Sequence, residues 1–164
     1  MDALEFSGAV VEGKGGHNEL GVPGKSQVPS APDDWPTVLY PGSLNVRLKA
    51  WPKEFASRGL MMSVECLDAG LFTPEFEITR DQFAKNSIYP RAGVPRGGDA
   101  QVWRANIVVA GRVVEPATCW ALRRFGSRVG EQLELVSGVR LRDAFSLENA
   151  MEVVVRLFGT WQTT

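Results

Sequence analysis

Short runs of alternating polarity, each cut off by glycine or proline, constrain this chain more than any other feature. Side chains on an extended strand change face at every residue, so alternation marks a strand with one buried face. Ser43-Leu44-Asn45-Val46-Arg47-Leu48 is the clearest case. Leu44, Val46 and Leu48 share one face, and Ser43, Asn45 and Arg47 share the other. Pro41-Gly42, just ahead, suits the centre of a type II turn, because proline pre-sets φ and glycine accepts φ > 0. Strand-like runs also cover residues 4–12, 61–67, 72–79, 102–110, 112–115, 133–136 and 151–157, with Gly111 joining two of them as a hairpin. Helical spacing is confined to 81–86 and 139–145, where Leu141, Ala144 and Phe145 fall at i, i+3 and i+4. Seventeen glycines and ten prolines supply the turns. Roughly six to eight short strands would leave many open edges, and closing the sheet on itself removes them. The expectation is one mainly β domain over residues 1–164, built as a small closed β-barrel with one or two short helices.

Charge and cysteine content narrow the function classes. A net charge of −1 argues against a general nucleic-acid binder, although a local patch could still hold a small anion. Cys66 and Cys119 lack metal-motif spacing and read as free thiols of a reducing compartment. No apolar run reaches membrane-spanning length, and Met1-Asp2-Ala3-Leu4-Glu5 has neither a basic start nor a signal-type core. The expected location is cytoplasmic, with no membrane partner. Residues 13–36 form a long glycine- and proline-rich excursion, a length at which loops are commonly functional.

Three stretches carry candidate chemistry. In EGKGGHNE (12–19), closely spaced glycines let backbone N–H groups turn inward as an anion-binding concavity, and Lys14 adds a charge. Neither a P-loop nor a dinucleotide fingerprint is present, and a flexible hairpin loop has the same composition. His17 is the only histidine and has no evident partner that would make it a base. Ser43 and Asn45 offer two neutral oxygens, too few for Mg²⁺ unless a polyphosphate completes the shell. In LELVSGVRLRD (133–143), Arg140 and Arg142 sit near an expected helix start, where anions are favoured. Glu134 alternates with Leu133 and Leu135, so it faces solvent or a cleft; carboxylates so placed are mostly plain surface groups. The five tryptophans could wall a planar ligand, but most should be core or hydrophobic rim.

In order along the chain, FSGAVVEGKGG, YPGSLNVRL and LELVSGVRLRDAFSLENAMEVVVRL resemble the archaeal-type CTP-dependent riboflavin kinases, over roughly residues 6–19, 38–48 and 131–157. The G-[ST]-L-N element is the most specific piece. The resemblance implies a six-stranded-type cradle-loop barrel that moves the γ-phosphoryl group of CTP to the 5′-hydroxyl of riboflavin, giving FMN, with Mg²⁺. It implies nucleotide binding by Lys14, Gly15, Gly16, His17, Asn18 and Glu19, and by Val139, Arg140, Leu141 and Arg142. Ser43 and Asn45 would match the Mg²⁺ ligands. Glu134 would contact the flavin and orient or deprotonate its hydroxyl, and Thr118 would match a second flavin contact. Departures are plain: Glu12-Gly13-Lys14-Gly15-Gly16-His17 stands for S-G-L-G-E-G, Ser43 for Thr, Ser137-Gly138 for A-P, and Leu147-Glu148-Asn149-Ala150 for D-G-D. The open alternatives are a nucleotide- or flavin-binding module without turnover, and a kinase for another small alcohol.

Overall fold

The computed structural model describes residues 1–12, 21–83, 93–109, 112–113 and 118–163. Among them the strands are β1 (Asp2–Val11), β2 (Leu44–Ala50), β3 (Phe72–Thr73), β4 (Phe76–Ile78), β5 (Ala100–Val109), β6 (Arg112–Val113), β7 (Cys119–Arg124), β8 (Gln132–Val136) and β9 (Glu152–Trp161). Two short helices are α1 (Lys53–Ser57) and α2 (Leu141–Ala144). Neighbouring strands follow the order β9-β1-β2-β8-β7-β5, and β5 pairs back onto β9 from Arg104↔Phe158 to Val108↔Val154. That last pairing closes a six-stranded antiparallel barrel. The expected fold class is the observed one. β3, β4 and β6 pair outside the ring.

The alternation read from β2 sends Leu44, Val46 and Leu48 into the barrel, where they meet Phe6, Trp103, Ile107, Leu135 and Val155. A second core lies outside the ring. Val102 of β5, Trp120 and Leu122 of β7 and Val136 of β8 are covered by Val28, Ala31, Trp35 and Leu39, with Phe76, Ile78 and Phe83 completing the cover. The described part of the long excursion is therefore a packed strap. Trp35 anchors it: its ring meets Trp120 edge-on at 5.2 Å, and its Nε1 donates to the Pro23 carbonyl at 3.0 Å. Arg104 clamps the adjacent Asp34 through two bonds of 2.6 and 2.9 Å, and that hydrogen-bonded guanidinium lowers the Asp34 carboxyl below its usual range.

Several expected elements differ. Residues 61–67 do not form a strand; Val64–Ala69 is a 3₁₀ helix. Ser63 Oγ accepts from the Glu65 amide at 3.1 Å at its start, and Gly70 ends it with φ 77°. Val64 and Leu67, three apart, then share the buried face, as a 3₁₀ repeat requires. The expected strand 72–79 splits into β3 and β4 around Pro74, which has no N–H for a ladder, and the halves pair with different strands. In place of a helix at 81–86 there is one 3₁₀ turn, Arg80–Gln82; residues 84–86 lie outside the described residues. The β5–β6 pairing, Val109↔Arg112, matches the expected hairpin, while Gly111 itself lies outside them. β9 continues past the expected end to Trp161. Gly159 permits this, since a Cβ there would come within 2.5 Å of the Thr73 carbonyl oxygen.

β7 had no counterpart in the sequence reading. Its six residues are all buried, because the barrel core covers one face and the strap the other. A strand covered twice shows no polar alternation, only an apolar run. Cys-Trp-Ala-Leu was that signal. Cys66 and Cys119 are free and buried, and burial pushes their thiols up to about 11 and about 12. Among the described residues no helix is long and apolar enough to cross a membrane.

Candidate functional site

β2 begins at Leu44, so Ser43 belongs to the turn before it. Gly42 holds φ at 137°, a conformation open to glycine and strained for other residues. The turn lies against the end of β8, where the Tyr40 amide donates to the Ser137 carbonyl at 2.8 Å. Register then puts Asn45 directly opposite Glu134, and Leu44 opposite Leu135. The polar row seen in the sequence is not a uniform solvated face. Asn45 is only 4% exposed, Ser43 is half-buried and Arg47 is exposed.

These groups meet. The Asn45 amide nitrogen lies 3.4 Å from both Ser43 Oγ and the Ser43 carbonyl oxygen. Ser43 also hydrogen-bonds the Glu134 carboxyl. Burial pushes that carboxyl up to about 7, opposed by the positive charge of Arg123, the Ser43 bond and the charge of Arg124. Glu134 is therefore neither a plain surface carboxylate nor a fully committed anion at neutral pH. It shares a slot of about 30 Å³ with Arg123, Arg124 and Gln132, where β7 and β8 part beyond the Leu122↔Glu134 pair.

A larger cavity, of about 240 Å³, opens on the other side of Ser43. Its walls are the turn at 40–44 and the turn running from Ser137 to Arg142. Two stretches nearly a hundred residues apart in sequence thus line one space. Within the second stretch, Leu141 turns into the barrel core, Val139 stays exposed, and Arg140 and Arg142 supply the charge. α2 does not strengthen anion binding at these arginines, because it has only four residues and no appreciable dipole. The guanidinium groups themselves carry the anion-binding capacity.

Arg142 reaches toward the glycine-rich stretch. Its Nη2 donates to the Val11 carbonyl at 3.2 Å and to Asn149 Oδ1 at 2.7 Å. Val11 ends β1, just before that stretch, and Gly21 and Val22, just after it, wall a small adjoining cavity of about 80 Å³. Both described flanks of the stretch border the site. Lys14, Gly15, Gly16, His17, Asn18 and Glu19 lie outside the described residues.

Thr118 is placed elsewhere. It is exposed at the start of β7, and its carbonyl accepts from Ser137 Oγ at 2.8 Å. The residue across from Glu134 is Leu122, four strand positions away, or about 13 Å at ~3.3 Å per residue. The structure does not bring Thr118 and Glu134 together. Sequence reasoning also missed Arg123 and Arg124 beside Glu134, since they sit on the unrecognised strand.

Among the described residues no three of His, Cys, Asp or Glu cluster as a metal cage. Ser43, Asn45 and Glu134 offer one carboxylate and two neutral side chains in contact. That fits an ion that keeps most of its waters and takes remaining ligands from phosphates, and does not fit a tightly held structural cation. No protein-family model matches the chain, and no curated protein matches it.

Proposed function

We propose that this protein is a Mg²⁺-dependent phosphotransferase that moves the γ-phosphoryl group of CTP to the 5′-hydroxyl of riboflavin, giving FMN and CDP. One observation carries the reading. The Tyr40-to-Leu44 turn and the Arg140-to-Arg142 turn wall a single cavity, and Ser43 in that wall hydrogen-bonds both Asn45 and the half-buried Glu134 carboxyl. Phosphoryl transfer asks little covalent chemistry of a protein and depends on positioning and charge neutralisation. Arg140 and Arg142 donate to phosphate oxygens. Ser43 and Asn45 would hold Mg²⁺, which when bound with the triphosphate offsets its negative charge. Glu134 accepts the proton of the attacking hydroxyl, and a carboxyl near 7 is well matched to that task at neutral pH. The hydroxyl oxygen bonds to the γ-phosphorus as the β–γ bridging bond breaks, and CDP leaves with the electron pair.

A second reading, nucleotide binding without turnover, is favoured by one feature: the slot beside Glu134 measures about 30 Å³ and does not enclose a flavin ring. Chromatographic assay of riboflavin with Mg²⁺ and CTP or ATP separates the two. The kinase reading expects FMN with CTP and none from the Ser43→Ala/Asn45→Ala double variant. Folded protein that binds nucleotide and yields no FMN would replace it with the second reading.

A further inference from the structure

Tyr40 stands where two cavities meet. The larger runs between the 40–44 and 137–142 turns; the smaller is walled by Val22, Leu39 and Val136. Tyr40, Pro41 and Gly42 form the partition common to both. The Tyr40 backbone is fixed by its hydrogen bond to Ser137, yet the residue is 37% exposed. Val139, which lines the larger cavity with it, is more open still, at 49%. Single exposed apolar residues are ordinary on a protein surface. Here two of them, Tyr40 and Val139, line a cavity that Arg140 and Arg142 also line. An apolar rim next to a cationic floor matches a ligand with a flat ring at one end and anionic oxygens at the other.

We propose that Tyr40 is the stacking platform for the base of a nucleotide whose phosphates lie toward Arg140 and Arg142, and that one edge of the base enters the smaller cavity. The proposal rests on the nucleotide-dependent reading above and assigns the base a place within that site. Cavity size decides how the base lies. A closed apolar cavity that holds a six-membered ring measures about 150 Å³. At about 80 Å³ the smaller cavity takes an edge and its substituents, not a whole base. The ring face is therefore left outside it, against Tyr40, with Val139 as an apolar flank.

The test is calorimetric titration of wild type, Tyr40→Ala and Tyr40→Phe with CTP and with inorganic tripolyphosphate, each with Mg²⁺. Tyr40 is at the surface, and a thermal melt checks that each variant is folded. Base–aromatic stacking corresponds to a loss of about 5- to 100-fold on alanine substitution. The expected result is that Tyr40→Ala binds CTP more weakly by that factor and tripolyphosphate as well as wild type does, while Tyr40→Phe retains CTP affinity. Equal CTP affinity in wild type and Tyr40→Ala overturns the proposal and leaves the phosphotransferase reading intact. Equal losses for CTP and tripolyphosphate overturn it too, because Tyr40 would then act on the phosphate end. Wild type that binds neither ligand removes the nucleotide reading itself, and the proposal with it.

Discussion

Arg123 and Arg142 flank the same barrel and are used in opposite ways. Arg123 is buried at the mouth of the β7–β8 hairpin. Its Nε and Nη2 grip both Asp68 oxygens at 2.8 and 2.9 Å, and Nη1 and Nη2 donate to the Val129 and Ser127 carbonyls at 2.8 and 3.0 Å. Gln101 adds a bond of 3.1 Å to Asp68. The chain itself satisfies this network, which pins the 3₁₀ helix and the hairpin loop to the barrel. Arg142 makes two contacts, to Val11 and Asn149, and still faces the 240 Å³ cavity. Its neighbour Arg140 meets only the exposed Asp143 among the described residues. Close by, Ser146 and Ala150 hold positive φ of 53° and 71°, a conformation costly for residues with a Cβ. A polar group saturated from within is structural. One held in place beside open space remains available to a ligand.

The largest expected effect lies on the saturated side. Asp68→Ala leaves the Arg123 guanidinium buried without its carboxylate, which costs about 3–5 kcal/mol. Denaturant unfolding measures it. Mg²⁺–CTP affinity of the folded protein should be unchanged, and a matching loss of affinity would erase the distinction between the two regions.

Next comes Glu134. Its folded-state value of about 7 lies above the ordinary 4.5, so between those limits the folded state binds more protons than the unfolded state. Stability of the metal-free protein should therefore fall as pH rises from about 4.5 through about 7, and level off above. The full change is at most about 3 kcal/mol, reduced by solvent screening. Glu134→Gln should flatten that slope in urea titrations run at several pH values. An unchanged slope would place the proton uptake on another group.

The smallest effect on stability, and the most informative for function, is Arg142→Gln. Loss of a hydrogen bond to a charged group costs about 1.5–3 kcal/mol, so Mg²⁺–CTP affinity should fall roughly ten- to hundredfold. The unfolding free energy should shift by under about 1 kcal/mol, because the side chain is only partly buried. The reverse pattern, a large stability loss with intact affinity, would make Arg142 a second Arg123.

The parts of this molecule legible in its sequence are those with one face in water. β2 declares itself because Leu44, Val46 and Leu48 alternate with polar residues, and Pro41-Gly42 marks the break before it, although Gly42 at φ 137° departs from the about +80° of the expected type II turn. The convergence of Ser43 with Arg140 and Arg142 came from the order of the motifs, since no local pattern brings residues that far apart together. β7 escaped because the strap hides its outer face and so removes the polar half of the pattern. The strap escaped for the same reason: Val28, Ala31, Trp35 and Leu39 have no regular period, and only tertiary packing reveals them as core. Residues 61–67 misled because Val64-Glu65-Cys66 alternates polarity as a strand would, whereas the chain there turns as a 3₁₀ helix.

The most direct test of the central claim, that the two turns form one phosphate-binding cavity, is a backbone NMR titration with Mg²⁺–CTP. The expected result is amide shifts concentrated at residues 40–45 and 137–142, saturating together with a single affinity, and absent from the Asp68–Arg123 end. No shifts at these two turns, or shifts at one of them alone, would contradict the account.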